Sequence, residues 1–232
     1  MQIVDVSGLW VRVAVLTLKR RESPLRFVLF PMIHIGSRPY YQSVRTQVDA
    51  CDLAVVEGVG RSRVSSLLSM SYRIARFRRG SGLVVQDLGP DSFGIPVVHV
   101  DISGDEVRRG WRQVPLLDRL GLWCVIPVLA LAMLVVGPRR FITWTMRAVE
   151  HGPERDEQDA ESPMPELDEL MSHRRDRLLL DALADLHEQR RHEDITIAVV
   201  YGAEHIPAVV RGLTGRYGYV TRAGEFLTVV DL

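Results

Sequence analysis

Three residues of this chain combine reactive chemistry with a placement that would bring them together. His34, Glu57 and His205 each stand at the end of a short apolar run of the kind that forms a buried strand. Parallel strands of an α/β sheet deliver their carboxyl ends to one edge, where such folds bind ligands, so residues far apart in sequence are expected in one cleft. Two imidazoles and one carboxylate suit a catalytic divalent metal that keeps positions open for water. The same trio without metal suits general acid/base work, with the carboxylate orienting one imidazole. His99 and Asp101 end a further strand and would support the three from behind. The alternative for His99 is an ordinary core or rim histidine.

The junction that positions His205 is DITIAVVYGAEHIPAVVRGL, residues 194 to 213. Ile195 to Val200 has the length and β-branched composition of a strand buried on both faces. Tyr201-Gly202 then reads as a turn, and Ile206, Val209, Val210 and Leu213 recur at helical spacing. Glu204 and His205 therefore fall where a buried strand passes into a helix, whose first N–H groups favour anions. Gly202 lets the backbone turn tightly and approach a ligand. The plainer alternative is a strand-to-helix turn with a solvated Glu204 and a capping His205.

The elements that must deliver the other residues follow in order. Residues 8 to 18 and 25 to 35 read as a β-hairpin around a polar turn, Lys19 to Pro24. A helix is expected from about Arg38, because Tyr41, Val44, Val48 and Cys51 share a face. Leu53 to Gly58 is a short buried strand ending in a carboxylate and a glycine, so strand, helix and strand begin a parallel sheet. Ile95 to Val100 adds a strand, and Ser103 or Asp105 can start the next helix. A helix is expected from Pro165 to Arg191, with Leu179, Ala182, Leu183 and Leu186 on one face. Tyr217 to Leu232 is expected as a hairpin turning at Arg222-Ala223-Gly224. The fold class is thus α/β: one domain over residues 1–232, with a central mixed sheet, β-α-β units, flanking helices, an N-terminal and a C-terminal hairpin, and a helical insertion at 105–165.

Three stretches bear on partners. Residues 61–79 carry Arg61, Arg63, Arg73, Arg76, Arg78 and Arg79 around apolar positions, a basic amphipathic helix suited to a membrane surface or simply a solvated face. Residues 120–137 contain no charge and are flanked by Arg119 and by Arg139-Arg140, with Pro127 in the middle. A single crossing there would place His34 and Glu57 on one side of a bilayer and His205 on the other. The segment is therefore expected to pack in the protein, to meet a partner subunit in a homodimer, or to lie in the membrane interface. Residues 151–169 are acidic, carry three prolines and read as a surface connection.

Composition narrows the partners. With 29 Lys+Arg against 29 Asp+Glu, the formal net charge is zero, and nothing draws the whole chain to nucleic acid. Lys19 is the only lysine. Two cysteines, Cys51 and Cys124, argue against a disulfide framework or a Cys-rich zinc site and fit a reducing compartment. The apolar run from Leu9 to Leu18 is interrupted by Arg12 and lacks a basic start and a cleavage site, so a secretory signal is not expected. The expected location is the cytoplasm, with membrane association left open.

PMIHIGS followed by a helix and LAVVEGV, then HRRDRLLLDAL, then VVYGAEHIPAVVRGL, resembles the TraB/Tiki family of metal-dependent hydrolases, which includes pheromone-shutdown proteins. The family pattern is a strand ending in Gly-x-x-His, a strand ending in Glu, an Arg-Asn or Arg-Asp helix, and a second strand ending in Gly-x-x-His. Gly202 to His205 matches the last, Glu57 the carboxylate and Arg175-Asp176 the helix pair. The likeness covers residues 25 to 220, of which 105 to 165 are not distinctive. It implies that His34, Glu57 and His205 form the active centre and hold a divalent ion such as manganese, cobalt or zinc. A metal-bound water would attack an amide or ester carbonyl of a peptide or small molecule, and Arg175 would steady a developing anion or a substrate carboxylate. The alternatives for Arg175 are a solvated residue or a partner of the acidic stretch. Glu204 has no counterpart in the pattern and reads as a water-activating base or a first-turn residue.

The chain departs from the pattern once. Pro31 stands where the family has the first glycine, and proline removes an N–H and fixes φ near −65°. If that glycine serves through its amide or a positive φ, its function is lost here; if it only makes room, His34 still works. Three readings remain: a metal-dependent hydrolase, a non-enzymatic peptide-sequestering protein on the same scaffold, and a membrane-surface or dimerisation module.

Overall fold

A computed structural model describes residues 2–58, 82–86, 88, 92–150 and 165–232. The Arg-rich stretch 61–79 lies outside the described residues, as does the acidic connection up to 164. Among those described, the strands in chain order are β1 (Val4–Val6), β2 (Trp10–Arg20), β3 (Ser23–Met32), β4 (Ile35–Ser37), β5 (Leu53–Val56), β6 (Leu83–Val85), β7 (Val97–His99), β8 (Thr196–Gly202) and β9 (Val220–Asp231). The helices are α1 (Arg38–Val48), α2 (Gly104–Gln113), α3 (Leu116–Val136), α4 (Pro138–Glu150), α5 (Pro165–Asp168), α6 (Arg174–Arg190) and α7 (Ile206–Tyr217).

Seven strands form one mixed sheet. The half that carries the chemistry is parallel, in the order β3-β8-β5-β7. Its inner strands β8 and β5 are apolar on both faces, as strands covered on both sides are, and Ile197, Ala198 and Val199 are fully buried. β8 comes late in the chain yet lies between two early strands. The two halves of the sequence therefore share one sheet, and Met32, Val56, His99 and Gly202 end along one edge.

The other half is antiparallel. β2 pairs with β3 through the expected hairpin. Along its other edge β2 pairs with β9 over its whole length, and β1 shares the β3 edge further along. The C-terminal hairpin expected at Arg222-Ala223-Gly224 does not form: residues 220–231 are one strand, and the register shifts between Thr17 and Leu18, where Arg222 is the extra residue. Three residues with turn chemistry become a bulge because ten residues of β2 supply a continuous partner. The short pair β4 and β6 forms a separate two-stranded sheet.

The helices follow their caps. Ser37 accepts from the Tyr40 N–H to start α1, and Ser103 forms a capping box with Glu106 to start α2. Gly218 ends α7 in the left-handed region, at φ 69°, which a side chain would resist. The helix expected from Pro165 to Arg191 is interrupted by a π-turn at Glu169–His173, directly before Arg175 and Asp176. Such turns insert an extra residue and re-aim those that follow. Gly212 lets α7 approach α6, since a Cβ there would stand 2.3 Å from Leu180 Cδ2.

Of the three places expected for the apolar segment 120–137, packing inside the protein is the one the described residues do not show. The segment lies in α3 as a continuous helix, and only 6% of its apolar window is buried.

Candidate functional site

His205 sits in a single 3-10 turn, Ala203–His205, between the end of β8 and the start of α7. It is 1% exposed. Its Nδ1 lies 2.6 Å from Asp176 Oδ1 on α6, and its ring packs edge-on against Tyr201 at 5.1 Å. Nε2 lies 3.3 Å from Glu204 Oε1, an ion-pair approach that falls short of a well-formed hydrogen bond, so this buried nitrogen has none. Burial opposes charge on His205, but the carboxylates of Asp176 and Glu204 outweigh it and bring its pKa up to about 9. The carboxyl of Glu204 is held low by the same contact with His205, against partial burial, with Arg175 and His34 adding to it.

Glu57 follows β5 by one residue. Its Oε2 accepts the Gly202 N–H at 2.8 Å and its Oε1 pairs with Arg175 Nη2. Burial would raise its pKa; the Arg175 guanidinium outweighs that and, with His34 and the Gly202 N–H, holds the carboxyl low. A Cβ on Gly202 would meet Glu57 Oε2 and His205 Cδ2, each at 3.3 Å. The glycine therefore serves by letting β8 bring a carboxylate and an imidazole to one point.

Arg175 is 3% exposed. It donates from Nε and Nη2 to Asp101 at 2.9 and 3.0 Å and from Nη2 to Glu57, and its guanidinium stands 5.5 Å from the centre of the Tyr201 ring. Burial works against its charge, yet the two carboxylates raise its pKa further. The Tyr201 hydroxyl donates to Val100 O at 3.1 Å. The solvated alternative for Arg175 is corrected here. Arg175 is not a solvated helix residue, since its Nε and Nη2 donate to Asp101 and Glu57 inside the protein. Asp101 takes the supporting position expected of it, through Arg175. His99 is exposed at the rim, and the absent Cβ of Gly58 leaves space for its ring.

His34 is exposed at the same edge, near enough to Glu57 and Glu204 to help hold both carboxyls low. Pro31 does not disturb the strand beneath it. The Arg26 N–H points to β8, donating to Ile195 O, so with the two-residue period of a strand the nitrogen of residue 31 points the other way. On that side pairing with β2 has already ended, at Leu29. The lost N–H removes no ladder bond, and Pro31 O, on the same side, accepts from the Tyr40 hydroxyl at 2.8 Å.

The three predicted residues thus share one edge, with Glu57 and His205 in close approach on Gly202. Sequence reasoning missed the role of Asp176, named only as half of a helix pair; nothing in sequence shows that it backs His205. His205 alone has the form of a metal-binding histidine: a carboxylate behind one nitrogen and no hydrogen bond on the other. The set does not. Both Glu57 oxygens are engaged, and among the described residues no three His, Cys, Asp or Glu side chains stand together as an ion would need. Comparison with known families, curated proteins and solved structures finds no match to this chain.

Proposed function

We propose that the chain is a hydrolase of amide or ester bonds in peptides or small molecules, related in type to the TraB/Tiki family, with His205 as its central group. The observation that carries this reading is the Asp176–His205 pair at the carboxyl edge of a parallel sheet, with the second ring nitrogen buried and without a hydrogen bond. Asp176 fixes the ring through Nδ1, so proton exchange runs through Nε2. In its charged form His205 stabilises the anion developing on a substrate carbonyl oxygen and protonates the leaving group. Glu204 and His34, at the solvent side of the ring, are the groups placed to take a proton from the attacking water. Glu57, Asp101 and Arg175 position these residues.

Chromogenic amide and ester substrates test the reading. Turnover should fall by about 10²–10⁴ in His205→Ala and by less in Asp176→Asn, where the ring keeps its place and loses its charged partner. Unchanged turnover in both variants overturns it. Binding of peptides without turnover by the wild-type protein supports instead a sequestering protein on the same scaffold.

The lack of a hydrogen bond at Nε2 also favours a second reading, in which a divalent ion such as manganese, cobalt or zinc binds His205 and His34 and Glu57 gives up Arg175 to join them. Metal analysis separates the two. A stoichiometric ion lost in both His34→Ala and His205→Ala supports the metal form; an ion retained in both rules out that ligand set.

A further inference from the structure

The helix α3 breaks the ordinary rule for a helix in water. Apolar positions usually occupy a stripe of about 100°. On α3 the exposed apolar residues Leu117, Leu120, Trp123, Val128, Leu131 and Val135 belong to a set that, at 100° per residue, spans an arc of about 220°. Buried Met133 falls in the remaining arc and faces the body. A partner helix or a second copy of the chain covers a stripe; hydrocarbon covers an arc of this width. The 21 residues run about 31 Å, close to the thickness of a bilayer's apolar core.

The helix cannot use that length to cross once, because it is tied at both ends to one sheet. Before it, buried Val107 holds α2 to the body, since Ile102 and Val107 pack against Leu178 of α6. After it, buried Ile142 of α4 joins the main core, and α4 packs on β1. Both anchors lie at the carboxyl edge: α2 follows β7, and a groove of about 490 Å³ beside α4 is lined by Ser7, Gly8 and Leu232, where β1 and β9 end. These two strands run the same way as β3, since all three are antiparallel to β2. The same groove carries Arg139, Arg140 and Arg147 with exposed Trp144, a cationic and aromatic frame of the kind found at headgroup level.

We infer that α3 lies in the interfacial plane of an anionic membrane and seats the carboxyl edge of the sheet, with His205 and His34, against that surface. The apolar arc enters the acyl boundary, and the arginines of α4 meet lipid phosphates. This does not rest on hydrolysis: a sequestering protein would dock in the same way.

The full-length protein is sedimented with neutral phosphatidylcholine vesicles and with vesicles that also contain phosphatidylglycerol. Wild type should bind both, more tightly the anionic ones. Leu117→Gln/Leu131→Gln/Val135→Gln should lose at least about tenfold in partitioning to either, since three apolar side chains leave the acyl boundary, with an unchanged unfolding midpoint. Arg139→Gln/Arg140→Gln should lose only the anionic preference. Wild type needs no variant for a second readout: Cys124 is exposed on α3 and Cys51 is half-buried on the body, so vesicles should slow alkylation of Cys124 and leave Cys51 as reference. Wild type that stays in the supernatant, a triple variant that binds as well, or a dimer that protects Cys124 without lipid, as a second copy would, each overturns the inference.

Discussion

The carboxyl edge of the sheet and the helix α3 invert the usual arrangement of a folded chain in opposite senses. At the edge, Arg175, Asp101, Glu57 and His205 hold charge inside the protein, where each ion must be matched by a partner. On α3, an apolar surface wide enough for a core stands outside. The first is closed and satisfied within one chain, apart from one ring nitrogen. The second finds no cover among the described residues. On the proposed reading, the ring nitrogen short of a hydrogen bond marks where a reacting molecule enters, and the apolar arc that no described residue covers marks where the protein rests on a membrane.

The contrast is broken most severely at Arg175. Arg175→Ala leaves Glu57 and Asp101 charged and unpaired, and such loss costs about 3–5 kcal/mol. Urea unfolding at neutral pH checks it, and a loss below about 1 kcal/mol would mean that water reaches both carboxylates. Arg175→Lys should recover only part, because an ammonium does not reproduce the fork that holds two acids at once.

Acidity sharpens the same comparison. His205 is raised from 6.5 to about 9, so the folded state binds its proton more tightly than the unfolded one. The resulting stability is fully present below about pH 6.5 and is lost as pH rises through 9, on the order of 3 kcal/mol. Glu57 moves the other way: its folded pKa lies below 4.5, so its contribution is present above 4.5 and is lost on acidification. The cluster should therefore stabilise the fold most between these limits. His205→Gln should flatten the alkaline limb of a plot of unfolding free energy against pH; a limb of the same slope in that variant sinks the assignment.

The part of this that sequence made legible is the part built on continuous runs. β3, β5 and β8 read as buried strands because a strand covered on both faces is apolar at every position, and α1 was readable from its helical spacing. His34, Glu57 and His205 followed from those runs, since a parallel sheet fixes where strand ends go. β1, β4 and β6, at three residues each, are too short to show a period. β9 was misread because Arg222-Ala223-Gly224 has turn chemistry, which a long partner strand overrode. The pairing of Arg175 with Asp101 joins residues 74 apart in the chain, and the backing of His205 by Asp176 depends on how α6 lies over β8. Neither leaves a local signal, and the π-turn that precedes both residues has none either.

Gly202 is a milder test of how tightly the edge is closed. Its φ of −49° is open to any residue, so Gly202→Ala brings no backbone strain. The new methyl meets Glu57 Oε2 and His205 Cδ2, both of which are held by other partners and cannot simply swing away. A loss of about 1–3 kcal/mol is expected, as for overpacking, with a larger proportional loss of turnover than His34→Ala would show if the approach of Glu57 to His205 is what matters.

The smallest effect is expected on the other side of the comparison. Leu117→Gln and Leu131→Gln keep helix propensity nearly constant, and both positions face outward on α3, so in buffer each should change the unfolding free energy by no more than about 0.5 kcal/mol. Met133→Gln, two residues along the same helix but buried against the body, should cost several times as much, because it buries an amide where a thioether packed. If the outward leucines prove as costly as Met133, α3 folds back onto the protein in solution, and its apolar arc is an inner surface that opens only when a membrane is offered.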